Sequence, residues 1–158
     1  MDYHLAEINI ARMLDEIDSP IMAEFAANLE RINALAEQSP GFVWRLKTDA
    51  GDATSIRVYE DRYLIVNLSV WESLEALREF TYYSAHTDYF RRRREWFEKL
   101  DIPALALWWV PAGHVPSVEE AKTKLELMAQ RGATPQAFTF KERFSVEAWL
   151  TQNAEKIT

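Results

Sequence analysis

The chain has 158 residues and only three histidines, His4, His86 and His114. Imidazole is the side chain that changes charge near neutral pH. His86 stands in the stretch from Leu64 to Phe97, LIVNLSVWESLEALREFTYYSAHTDYFRRRREWF. An apolar strand pattern there gives way to a helical one, and Ser84-Ala85-His86-Thr87 interrupts the helix. At such a break His86 either faces a pocket, as general base, general acid or iron ligand, or closes the break by hydrogen bonding to backbone. Tyr82, Tyr83 and Tyr89 flank it. Each phenol either donates a hydrogen bond to a substrate oxygen or is a core aromatic with a wet tip.

Arg91 to Arg94 offer the fork geometry that binds carboxylate or phosphate. Four consecutive residues surround a helix, so at most two face one site. Arg93 and Arg94 share the side of Phe90. The competing reading is a solvated run paired with Glu95 or Glu98. Glu7 and Asn9 on one strand pattern, with Asn67 and Ser69 on another, are polar groups inside strands. They either mark a pocket floor or lie on an exposed sheet edge. Trp71, with Trp44, Trp108 and Trp109, gives apolar walls to a pocket or plain core and dimer contacts. The histidine spacing matches no compact ligand motif, so no metal site is expected. Four glycines leave little room for a phosphate loop or dinucleotide fingerprint, which disfavours nucleotide cofactors.

The formal charge of −7 weighs against nucleic-acid binding, which needs a basic surface. With no cysteine, thiolate catalysis and disulfides are excluded. The N-terminus lacks the pattern of a signal peptide, and no apolar run approaches the ~20 residues of a membrane span. A cytoplasmic protein with no membrane partner is expected.

The elements that must position these groups follow from period and caps. Tyr3 to Ile10 alternates as a strand, with Tyr3, Leu5, Glu7 and Asn9 on one face. Ser19-Pro20 predicts a helix start, and the apolar stripe Ile21, Phe25, Leu29, Ile32, Leu35 carries it to about Gln38. Phe42 to Lys47 predicts a strand with Phe42, Trp44 and Leu46 on one face. Ser55 to Tyr59 is a candidate short strand or a cover over a barrel mouth. Tyr63 to Val70 predicts a third strand. Ser73 caps a helix, and Thr87 caps a second piece running to Leu100. Ala104 to Val110 predicts a fourth strand, and Ser117 with Glu120 a capping box for a helix ending at Gly132. Phe138, Phe140 and Phe144 suggest an extended tail, followed by a short helix from Ser145 to Asn153.

Strand, helix, strand, strand, helix, strand is the ferredoxin-like order of an α+β fold. It implies one domain over 1–158, with a core of about 3–111 and a C-terminal helix and tail over 117–158. Two helices on one face of an antiparallel sheet leave the other face bare, carrying Trp44 or Trp108. A homodimer through that open sheet face is expected.

The words VWESLEAL, SAH, RRRREWF and LWWVPAGHVP resemble an uncharacterised bacterial domain family of the dimeric α+β barrel superfamily, from roughly Tyr3 to Phe144. Its better-known relatives are the antibiotic-biosynthesis-type and haem-degrading monooxygenases and the chlorite-dismutase-like proteins. The resemblance implies a pocket-facing histidine at His86. It also implies a monooxygenase-like enzyme for a hydrophobic, aromatic or polyketide-like small molecule. The resemblance carries onto no other residue; the polar and aromatic groups noted above, Tyr82, Tyr83, Asn67, Arg93, Trp71 and Asn9, are the expected substrate contacts beside His86. No cofactor is required, although haem on His86 stays open, as does a non-catalytic binding protein.

Overall fold

Strand alternation places Tyr3–Met13, β1, at the centre of an antiparallel sheet. The computed structural model describes residues 2–47, 59–84 and 86–157. In chain order follow α1 (Ala23–Gln38), β2 (Phe42–Arg45), β3 (Leu64–Trp71), α2 (Leu74–Tyr83) and α3 (His86–Arg91). A 3-10 turn over Arg93–Glu95 leads to β4 (Phe97–Glu98), β5 (Leu105–Pro111), α4 (Val118–Arg131) and α5 (Val146–Ile157). β1 pairs β3 on one edge and β5 on the other, and β2 lies outside β3. β4 adds two residues against Arg12 and Met13. This is the expected α+β, ferredoxin-like arrangement. The candidate strand from Ser55 falls outside the described residues, apart from Tyr59.

The pleat sends alternate residues to opposite faces. One face of the sheet presents Ala6, Ile8, Ile10, Val66, Leu68, Val70, Ala106, Trp108 and Val110, all buried. α4 covers it with Ala121, Leu125 and Met128, and Trp108 Nε1 donates to Glu120 Oε2 at 2.9 Å. The expected bare face is therefore closed within one chain, and Trp108 is 1% exposed. This corrects the expectation of a bare sheet face: α4 packs over the apolar area that was expected to seek a partner.

The other face is covered by α1 and α2 in two separate clusters. Leu5, Trp71 and Leu107 pack with Ala36 of α1, Leu74 and Leu77 of α2, and Phe138. Met13 packs with Met22 and Trp96, and Phe25 of α1 joins them. Phe138 belongs to the extended tail, and its backbone pairs with Leu107 in both directions.

Several boundaries differ from the sequence expectation. β2 carries an irregularity between Phe42, opposite Trp71, and Trp44, opposite Val70. The extra residue reverses the alternation, so Phe42 and Trp44 lie on opposite faces and Arg45 shares the face of Ser69. α1 begins at Ala23, capped by Met22 without a side-chain bond. Met22 is fully buried, and the preceding residues turn to place it there. The piece after Ser84 stops being α-helical at Arg91, because burying Trp96 beside Met13 and pairing Phe97–Glu98 with β1 require a turn. Thr87 does not cap the second piece: α3 already begins at His86, and Thr87 Oγ1 donates back to the Thr81 carbonyl at 3.4 Å. The caps at Ser73 and Ser117 stand as expected: Ser73 Oγ accepts from Ala76 N and Ser117 Oγ from Glu120 N. Gly41 has φ +83°, and a Cβ there would meet Ala76 Cβ at 2.5 Å, so the turn into β2 needs glycine against α2. No helix of the described residues is long and apolar enough to cross a membrane.

Candidate functional site

Between the two clusters under α1 and α2 the sheet is polar. The register sets Glu7 opposite Ser69 and Asn9 opposite Asn67, on the same face as Leu5, Trp71 and Met13. Glu7 is 5% exposed and Ser69 6%. Both Glu7 carboxylate oxygens accept hydrogen bonds. Asn9 Nδ2 donates to Oε1, and Ser69 Oγ donates to Oε2 at 2.8 Å. Ser69 Oγ in turn accepts from the buried Trp71 Nε1 at 3.0 Å. No ion pair to Glu7 exists among the described residues. Burial raises its carboxyl from 4.5 to about 7, and the bonds from Asn9 and Ser69 only partly oppose that.

The strip opens outward. Asn9 is half-buried, and Asn67 is the one exposed residue of β3. Phe25, Leu29, Ile32 and Ala36 share one stripe of α1. Phe25 and Ala36 pack into the two clusters, whereas Leu29 and Ile32 between them are only half-buried and join neither. α1 thus spans the polar strip like a bridge resting on its ends. Arg45 flanks the strip opposite Ser69, held by Glu37 of α1 at 2.7 Å.

A carboxyl titrating near neutrality can take a proton and return it at physiological pH. Beside it, the Asn9 and Asn67 amides offer N–H donors for an oxygen that gains charge. The described residues hold no group of three or more metal-binding side chains.

His86 lies elsewhere. Its Nδ1 lies 3.2 Å from the Thr81 carbonyl oxygen; a carbonyl can only accept, so Nδ1 carries the proton. The backbone N–H of His86 donates to Ser84 Oγ at 3.1 Å, and that hydroxyl donates to the Phe80 carbonyl. The ring packs 4.8 Å from Phe80 and 6.4 Å from Phe90, centroid to centroid. Burial lowers its pKa, against the bond to Thr81. This is the arrangement of a histidine closing a helix break. No hydrogen bond or ring contact joins it to Glu7, Asn9, Asn67 or Ser69. Haem finds no seat here: Nδ1 carries a proton, which leaves only Nε2 as a ligand, and neither of the open grooves described below is lined by His86.

The other expected site residues separate into two places. Asn9, Asn67 and Trp71 belong to the strip, Trp71 as its buried end, stacked on Phe80 at 5.2 Å. Tyr82 and Tyr83 are exposed and line a surface groove beyond α2. Arg93 lies over the Phe90 ring at 4.3 Å and donates to the Phe90 carbonyl, away from the strip. His4 sits on the opposite sheet face, and His114 Nε2 meets Glu120 at 2.8 Å. The sequence signal for Glu7 was present, a carboxylate inside an otherwise apolar strand. What singles it out is its burial with only Asn9 and Ser69 as hydrogen-bond partners among the described residues, which no local pattern reveals.

No curated protein is similar enough to this chain to serve as a relative. Two solved structures resemble it at 16% identity and a TM-score of 0.45. One is a mutant of SnoaB, a cofactor-independent oxygenase from Streptomyces nogalater, matched over 71% of this chain and 95% of that one. The other is PA3566 from Pseudomonas aeruginosa, matched over 70% and 94%. At that distance neither assigns a role to any residue here. The sequence itself is matched over residues 4–154, nearly end to end, by a domain of unknown function, and the chain belongs to that family, DUF3291.

Proposed function

We propose that the cleft between α1 and the sheet is the working site of a small-molecule enzyme of monooxygenase-like type, with Glu7 as general base. The observation that carries this is a buried carboxylate, without an ion pair among the described residues, at the inner end of a polar strip that opens to solvent at Asn67. The substrate class is a hydrophobic aromatic or polyketide-like ketone with an acidic CH2 group, one hydrogen of which leaves as the abstracted proton and the other with the water lost at the end. Leu29 and Ile32 supply apolar contact above, and Asn9 and Asn67 hold the substrate oxygen. Glu7 takes the carbon-bound proton, and the electron pair passes into the ring system and the held oxygen. The resulting carbanion is oxidised by dioxygen to a hydroperoxide, which recovers a proton. Loss of water then leaves a new carbonyl, so one substrate and one dioxygen give one ketone and one water. This departs from the expectation for His86, whose Nδ1 is committed to backbone.

The test is oxygen uptake with a panel of polycyclic aromatic ketones bearing such a CH2 group. Wild type consumes oxygen with at least one of them. Glu7→Gln lowers kcat by about 10²–10⁴, the usual span for losing a general base, while still binding the compound. An unchanged rate in Glu7→Gln removes Glu7 from the chemistry. A compound that binds wild type tightly and is recovered unaltered points to a binding protein.

A further inference from the structure

Outside the cleft, the end of α2, α3 and the tail after Phe138 border an open surface groove of about 520 Å³, large enough for a small molecule. Four cations line it: Arg78 from α2, Arg91 from α3, and Lys141 and Arg143 from the tail. All four are exposed. None makes an ion pair among the described residues, although the chain carries an excess of acid at −7. Arg12, Arg45, Arg62 and Arg92 each meet a carboxylate.

The acidic side chains of α2 do not reach this groove. Glu72, Glu75 and Glu79 line a second groove on the other side of the helix, and the two share only Tyr83. Between the cations the wall is aromatic and held in place. Tyr82 meets Phe90 edge-on at 5.7 Å and Phe140 at 5.5 Å. Like charges converging from three separate segments repel one another, and each gains from an anion placed among them. An exposed aromatic wall gains from a flat apolar body. One ligand class satisfies both.

We propose that this groove is a binding site for a small anionic aromatic molecule. Its carboxylate, sulfonate or phosphate lies among Arg78, Arg91, Lys141 and Arg143, and its ring lies against Tyr82 and Phe140. Arginine forks suit planar oxyanions. The site is separate from the Glu7 cleft and does not depend on the reaction proposed there.

Calorimetric titration with 2-naphthalenesulfonate at low salt tests it on the full chain. One saturable site is expected, weakened about tenfold or more in the Arg91→Gln/Arg143→Gln variant, a loss of two charge-assisted contacts. Tyr82→Ala weakens it as well. Glu7→Gln leaves it unchanged, so the cleft and the groove fail separately. Sodium sulfate and 2-naphthalenemethanol, the anion and the ring taken alone, each bind about tenfold more weakly or not at all. Equal binding by the double variant, or by sulfate alone, overturns the proposal. So does a salt-sensitive dimer that the double variant loses, which gives the groove to the acidic face of a second copy. Arg78→Gln/Lys141→Gln serves as a second variant if the first misfolds.

Discussion

The two faces of the central sheet are built from the same strands and do opposite things. Toward α4, Ala6, Ile8, Val66, Leu68 and Trp108 form an apolar layer in which the Trp108 indole nitrogen is satisfied by Glu120. Toward α1, every second residue of the same strands includes Glu7, Asn9, Asn67 and Ser69. The apolar layer carries stability, at about 1.5–3 kcal/mol for each large side chain buried. The polar strip forgoes that gain and places a carboxylate in a poorly solvated position, which is costly without a cation. One face is thus given to packing and the other keeps a buried acid; under the proposed function this divides stability from chemistry, and substitutions on each side separate the two.

The largest expected effect is on the packed face. Trp108→Ala removes a fully buried indole and its bond to Glu120, costing about 3–5 kcal/mol in chemical denaturation. A loss under 1 kcal/mol would mean that α4 is not seated as described. Next comes the polar face. Between 4.5 and about 7 the folded protein keeps the Glu7 proton while the unfolded chain has released it. Glu7 therefore contributes stability that is whole below 4.5 and is lost as pH rises through about 7, of the order of 3 kcal/mol in total. Glu7→Gln flattens that part of the pH profile and makes the variant the more stable protein at pH 8, although it is the less active one. A wild-type profile that stays parallel to the variant's from pH 4 to 8 would contradict this. The smallest effect belongs to the helix break. His86→Ala loses one bond to the Thr81 carbonyl, about 1 kcal/mol, and leaves turnover intact. Loss of turnover with the fold retained would return His86 to the chemistry.

Local signals in the sequence were sufficient for the caps at Ser73 and Ser117, the strand periods and the break near Ser84, because each is settled by near neighbours. They also drew attention to Glu7, Asn9, Asn67 and Ser69 as polar groups in strands. Nonlocal packing decided the rest. The irregularity in β2 changes the faces of Phe42 and Trp44, and only pairing with β3 reveals it. The expected bare face is covered by a helix that lies beyond the ferredoxin-like core in the chain. The arginine run reads as one block, yet Arg91 faces the groove, Arg92 bridges Glu24 and Glu95, and Arg93 lies on Phe90. Tyr82 and Tyr83, expected beside a substrate at His86, line a different surface because α2 turns that side away from the sheet.

The protonation of Glu7 tests the central claim most directly. A carbon-13 NMR titration of side-chain carboxyl signals, with Glu7 assigned by comparison with Glu7→Gln, reads it in the intact protein. The account predicts a midpoint near 7, set by burial beside Asn9 and Ser69. A midpoint at 4.5, the ordinary value for a glutamate, would show a solvated carboxylate and contradict the cleft as the site of chemistry.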